Sequence, residues 1–228
     1  MSLVSLQLGK PTTVAAAGSN AWWDGEWTSA IFKQPVADAV WLGYLGLEGD
    51  GVADTKVHGG VDKSVCVYPA EHYHVWRSEL NQPALPFGAF GENFTTTGLL
   101  EEEVCVGDII EIGEAVVQVS QPREPCWKPA RRWQVKDLAA RILETGRTGF
   151  YCRTLQPGRV QAGDSLCLRQ RPYPKWTIAW ANQIMHHTKY DLAGAEVLAN
   201  CGPLAGNWKD TLHRRCRAAL QPLPVPNQ

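Results

Sequence analysis

The chain has 228 residues, of which 44% are hydrophobic and 20% charged, and its formal net charge is −1. That length buries one good core, or one larger domain with a small appendage, and the composition excludes intrinsic disorder. A charge so near zero leaves no bulk electrostatic footprint for DNA or an anionic membrane.

Residues 1–20 contain Lys10, Pro11 and a polar Gly18-Ser19-Asn20 stretch. They have no apolar run of signal-peptide length, and no part of the chain approaches a membrane span. The expectation is a cytoplasmic protein with no membrane partner.

In chain order, residues 1–170 read as mostly β. Val4-Ser5-Leu6-Gln7-Leu8 alternates as a half-buried strand does. A helix is expected from Pro69, which suits a first helical position, to Trp76. Ile109-Ile110-Glu111-Ile112, Gly113-Glu114 and Ala115-Val116-Val117-Gln118-Val119 read as a hairpin with a type II′ turn. Val106-Gly107-Asp108 and Ala162-Gly163-Asp164 look like turns that feed strands. A second helix is expected over residues 137–145, with Gly146 closing it. Arg171-Pro172-Tyr173-Pro174 suggests a linker. Beyond it, residues 177–185, 192–200 and 207–220 read as three helices, the last capped by Asn207 and carrying Arg214, Arg215 and Arg217 near its end. The proline-rich residues 221–228 read as a flexible tail.

The cysteines number seven, are widely spaced, and include no Cys-x-x-Cys. This argues against a disulfide framework, a zinc ribbon and an iron–sulfur centre. Cys66, Cys105 and Cys167 sit in apolar runs and read as buried hydrophobes.

Four segments keep polar residues and glycines inside this β-rich region. Lys56-Val57-His58-Gly59-Gly60-Val61-Asp62-Lys63 offers paired glycines and cations to an anion, or is a solvated turn. Tyr68-Pro69-Ala70-Glu71-His72-Tyr73-His74 places its histidines on different helix faces, so a two-His metal site is not expected, although His72 could bond a ligand. Gly91-Glu92-Asn93 puts a carboxylate and an amide among aromatic residues, where burial would demand partners. Gln121-Pro122-Arg123-Glu124-Pro125-Cys126-Trp127-Lys128-Pro129 leads into Arg131 and Arg132. It holds Cys126 on a stiff, non-helical backbone among four cations, which favour the thiolate. The alternative is a structural cysteine beneath surface cations. Trp127-Lys128 and Arg132-Trp133 could stack on single-stranded nucleic acid, but the patch is short.

These segments, with Leu47-Glu48-Gly49-Asp50 before them and Gly158-Arg159-Val160-Gln161-Ala162-Gly163-Asp164 after, occur in an order that resembles the MOSC domain, named after the C-terminal part of molybdenum cofactor sulfurases. The resemblance is strongest over 30–170. The last 55 or so residues resemble the three-helix appendage of a bacterial branch linked to resistance against 6-hydroxylaminopurine. It implies a mainly β fold with helices: a MOSC β-barrel-like core over 1–170, a small C-terminal three-helix appendage over 171–220, and the tail.

The resemblance further implies a molybdenum cofactor (molybdopterin with Mo) whose metal takes Cys126, and no requirement for pyridoxal phosphate. It implies reduction of small N-hydroxylated substrates, with His58 or His72 supplying protons. Lys56, His58, Gly59, Gly60, Lys63, Tyr68, Glu92, Asn93, Gln121 and Arg123 become the expected cofactor-binding residues. Neither a cluster motif nor a nicotinamide fingerprint is present, so electrons are expected from a separate electron-donor reductase, a flavoprotein. The rival expectation is a sulfur or cofactor carrier that uses Cys126 as a persulfide or ligand.

Overall fold

The structure, a computed structural model, describes residues 1–220; the tail expected over 221–228 lies outside the described residues. The first stretch runs β1 (Ser2–Leu8), β2 (Thr12–Val14), β3 (Trp27–Ser29), β4 (Gln34–Val36), β5 (Val40–Gly43) and β6 (Gly46–Leu47). A 3₁₀ turn, Val61–Lys63, then leads into β7 (Val65–Pro69), α1 (Glu71–Glu79), β8 (Phe94–Thr97), β9 (Ile109–Ile112) and β10 (Ala115–Pro122). Next come α2 (Trp127–Trp133), α3 (Leu138–Thr145), β11 (Phe150–Gln156), β12 (Gly158–Val160) and β13 (Leu166–Gln170). The chain finishes with α4 (Ile178–Asn182), a π-helical turn Gln183–His187, α5 (Leu192–Ala199) and α6 (Gly206–Ala219).

An eight-stranded sheet in the order β13-β9-β10-β11-β7-β8-β1-β4 forms the body. Its pairings are antiparallel except β7 with β8. The sheet curls until Ser2 bridges Ser165, with Leu3 N–H donating to Asp164 O at 2.9 Å and Gly163 N–H to Leu3 O at 2.7 Å. The result is barrel-like, but it meets itself at a bridge instead of closing as a continuous ladder. The β9–β10 hairpin pairs Ala115 with Ile112. At its tip Gly113 has φ 53° and Glu114 is not at positive φ, as a type II′ turn requires. Both Gly-Asp turns feed strands, β9 and β13.

Where the elements depart from expectation, a local competitor explains it. Pro69 ends β7 instead of starting a helix: residues 65–69 are buried throughout, and the burial of that apolar run wins. Asn207 does not cap α6; Ala205 occupies that position and offers no side chain. Arg217 alone lies in the last turn, whereas Arg215 donates to Ile184 O and Met185 O, both at 2.7 Å, and so satisfies carbonyls of the π turn. Cys167 is exposed, because β13 is an edge strand with that face outward; Cys66 and Cys105 are buried.

The core does not stop at the sheet. Leu3, Phe94, Val117 and Phe150 belong to the same buried cluster as Ile178, Leu198, Trp208 and Leu212 of the three-helix unit. The segment expected as a linker is packed too. Arg171 grips the buried Asp108 with its Nη2 at 2.7 Å, and Tyr173 stacks on Trp176 at 4.4 Å. A second cluster, around Tyr68, Trp76, Phe90, Leu138 and Ile142, packs α1 and α3 together. No helix among the described residues is long and apolar enough to cross a membrane.

Candidate functional site

Residues 119–122 of β10 are buried, and the chain then leaves the sheet. Cys126 is the last extended residue, at φ −108° and ψ 174°, before α2 begins. The stiff segment expected here is therefore non-helical only as far as Cys126. Pro129 sits at the third helical position, where the N–H it lacks would have had no intrahelical partner. Cys126 is half-buried and free, and it lines a cavity of about 530 Å³.

The cavity gathers His58, Gly59, Lys63, Asn93, Arg123 and Cys126 of the expected site residues. Arg123 is 5% exposed. Its backbone N–H donates to Gly149 O at 3.0 Å and its Nη2 to Phe90 O at 2.5 Å, while its Nη1 is buried with no partner. Asn93 is wholly committed: Oδ1 accepts from Cys66 N–H at 3.2 Å and Nδ2 donates to Asp50 at 2.8 Å. Lys63 Nζ donates to Val57 O at 2.7 Å, and burial lowers its pKa against the opposing pull of Glu124 and Asp62. Burial, helped by the charges of Lys128, Arg123 and Lys63, pushes the His58 pKa down to about 4. Near pH 7 that imidazole is neutral.

The remaining expected residues do not line the cavity. Lys56 and Gly60 are exposed on the outer part of the same loop. Tyr68 is buried between Arg147 O, to which it donates at 2.9 Å, and Trp76 Nε1 at 2.7 Å. His72 faces Glu101, with Nε2 2.7 Å from Oε2, inside the protein. Glu92 is fully buried and knits its own turn, accepting from Tyr73 Oη, Gly88 N–H at 2.7 Å and Thr95 Oγ1 at 3.1 Å. Gln121 is buried with Nε2 on Pro122 O at 3.0 Å and no partner for Oε1.

Of the four cations expected around Cys126, Arg123 and Lys128 share its cavity. Arg131 instead bonds Trp23 O and Gly25 O and packs on Trp27 and Trp127, and Arg132 bonds Ile31 O at 2.6 Å. Of the two basic residues that had suggested nucleic-acid stacking, Arg132 is engaged in this way and Lys128 lines the cavity.

Sequence reasoning missed Lys33, whose ammonium pairs with Asp50 on the cavity wall, and the cavity-lining Cys66 and Tyr151. Asp50 stood in a quoted motif without a role; it accepts from Gly9 N–H at 2.7 Å and from Asn93. Nothing local marks Lys33 or Tyr151.

Residues 54–167 match the MOSC domain family, and residues 176–217 match the YiiM-like, 3-alpha helix domain. YflK of Bacillus subtilis (strain 168) is 43% identical over 94% of this chain and 94% of its own length. This chain belongs to the MOSC domain family, with the YiiM-like three-helix domain. The crystal structure of YiiM from Geobacillus stearothermophilus superposes with a TM-score of 0.78 at 38% identity, covering 94% of this chain and 98% of that one. A protein named "Reductase" from Gibberella moniliformis (strain M3125 / FGSC 7600) is 37% identical over 86% of this chain, which spans 35% of that protein.

Proposed function

We propose that this MOSC protein is an oxidoreductase that uses a molybdenum cofactor to reduce small N-hydroxylated compounds such as 6-hydroxylaminopurine. Its electrons come from a separate reductase, a flavoprotein. Family membership and the reductase name of one relative support the redox reading. One observation carries it furthest: the half-buried Cys126 shares a cavity with Arg123, a buried cation whose Nη1 has no partner.

These residues suit such a cofactor. A buried guanidinium nitrogen without a partner is costly until an anion meets it, and molybdopterin carries a phosphate. Among the described residues no three His, Cys, Asp or Glu side chains gather as a metal cage, so a metal at Cys126 would bring its other ligands with it. A soft sulfur ligand suits the metal. The bound cofactor would supply a two-electron centre for removing oxygen from N–OH.

The chain's residues would do the rest. Cys126 would hold the metal through Sγ. Arg123, Lys63 and Lys128 would receive negative charge. His58, being neutral, would offer one N–H and one lone pair to the N–OH group, where an imidazolium would offer only donors. His72 is engaged by Glu101 and would take no part in this.

The test is molybdenum and pterin per chain, measured on protein from a cofactor-competent host beside Cys126→Ser, with reduction of 6-hydroxylaminopurine followed in both. Near-stoichiometric metal and activity, both lost in the variant, are expected. Metal retained in Cys126→Ser would overturn the ligand assignment. A persulfide on Cys126 with no molybdenum would replace the enzyme by a sulfur carrier.

A further inference from the structure

Residues 52–63 supply one wall of the cavity through Val52, His58, Gly59 and Lys63. The loop bonds mainly to itself. His58 N–H donates to Asp54 O at 2.9 Å, Lys56 N–H to Asp54 Oδ1 at 3.2 Å, Lys63 N–H to Gly60 O at 2.9 Å and Lys63 Nζ to Val57 O at 2.7 Å. Among the described hydrogen bonds, every one that ties this loop to another element ends on Asp62.

Asp62 has anchors on three elements. Its backbone oxygen accepts from Ser120 Oγ of β10 at 2.6 Å. Its Oδ1 accepts from Arg153 of β11, 2.8 Å from Nη2 and 3.0 Å from Nε. Its Oδ2 accepts from Gly206 N–H at 3.2 Å, across 144 residues of sequence. Gly206 opens α6, whose own cap residue, Ala205, has no side chain to offer. The loop carboxylate therefore does the capping, at the positive end of the helix dipole.

We infer that Asp62 is the positioning residue that holds His58 and Lys63 at the Cys126 cavity, and that the three-helix unit serves the site by presenting Gly206 N–H to it. The ion pair with Arg153 is partly exposed, so its worth to overall stability is small. Its worth lies in geometry, because a loop bonded to itself has few other ways to know where the cavity is. Lys63 adds a weaker contact, with Nζ 5.8 Å from the centre of the Tyr151 ring. The inference rests on the functional reading only for its consequence in catalysis; the anchor is testable without cofactor.

The structure supplies a narrow substitution. Gly206 is a first helical residue, Ala205 before it is extended at ψ 146°, and a Cβ at 206 meets nothing within 4 Å. Proline is suited to such a position and lacks the N–H that Asp62 accepts. In cofactor-free protein, Gly206→Pro and Asp62→Ala are each expected to raise amide exchange at His58 and Lys63 about tenfold, with β10 and the interior of α6 unchanged. Alkylation of Cys126 by iodoacetamide, mapped by peptide mass, should quicken about threefold relative to the exposed Cys167. Asp62→Asn, which keeps an oxygen for Gly206 N–H, should fall between parent and Asp62→Ala. Arg141→Ala, which breaks an exposed pair with Asp137 at the start of α3, should change neither readout.

Exchange at His58 and Lys63 like that of the parent would overturn the inference. So would an unchanged Cys126 to Cys167 ratio, or faster exchange spread through α6 and β10. Should Gly206→Pro fail to fold, the Asp62 pair decides alone. A parent protein without molybdenum would sink the functional reading and leave the anchor standing.

Discussion

His72 and Glu101 face each other at 2.7 Å in the interior, and the other oxygen of Glu101 accepts the Gly149 N–H at 2.6 Å. The pair joins α1 to the segment from which Arg123 takes its backbone bond. Removing the imidazole leaves a carboxylate that is 1% exposed short of a partner. His72→Ala should therefore cost about 2 kcal/mol in urea unfolding. The folded protein should keep the cofactor content of the parent. A loss of turnover with full stability would return His72 to the chemistry.

Arg123 should behave in the opposite way. Without an anion its Nη1 is an uncompensated buried donor, so Arg123→Met should change unfolding free energy by no more than about 1 kcal/mol. Cofactor retention should fall by about tenfold or more, the scale of one lost charge-assisted bond. Equal molybdenum in parent and variant after dialysis would contradict this.

Gly149 has φ 68°, and a Cβ there would stand 2.4 Å from Val67 O and 2.8 Å from Tyr68 Cδ2. Neither neighbour is the free end of a flexible chain. Gly149→Ala should cost about 3 kcal/mol or more, from overpacking and left-handed strain together, and lower the thermal midpoint accordingly.

Acid should weaken the fold through its partly buried histidines. Burial, then the charges of His187, Lys189 and Arg215, holds the His186 pKa down to about 4 from 6.5. The unfolded chain binds this proton first, so the stabilisation is whole above pH 6.5 and is lost as pH falls toward 4. His186 remains partly solvated, which limits the effect to about 1 kcal/mol. His58 titrates in the same window. Denaturant midpoints measured from pH 7 to 4.5 should fall less steeply in His186→Gln; parallel curves would refute the assignment.

Parts of the sheet were legible because their signals are local, alternation in β1 and the Gly113-Glu114 turn among them, and the three C-terminal helices fall close to the spans read for them. Cys126 was legible from its proline-bounded, cation-rich setting. The rest of the site was not, for a physical reason. Glu92, Tyr68 and His72 look functional because buried polar groups look the same in sequence whether their partner is a ligand or the protein. Here Tyr73, Arg147 O and Glu101 are those partners. Tyr151 reaches the cavity through strand pairing with Cys66, and Lys33 through its ion pair with Asp50, neither of which a local pattern records. Helix α2 was hidden by Pro129, which its first turn tolerates.

The seam at which Ser2 meets Ser165 also orders events in time. β1 can pair with β4 as soon as residue 36 exists and with β8 after residue 97, but residues 163–166, which meet β1 across the seam, come only with β13, the last strand of the curl to be made. A growing chain therefore holds an open sheet edge through most of its synthesis, and such edges invite pairing with neighbours. Contacts so distant in sequence also slow refolding. The bridge that finishes the curl thus marks the stage at which β1 and the start of β13 cease to be available for such pairing.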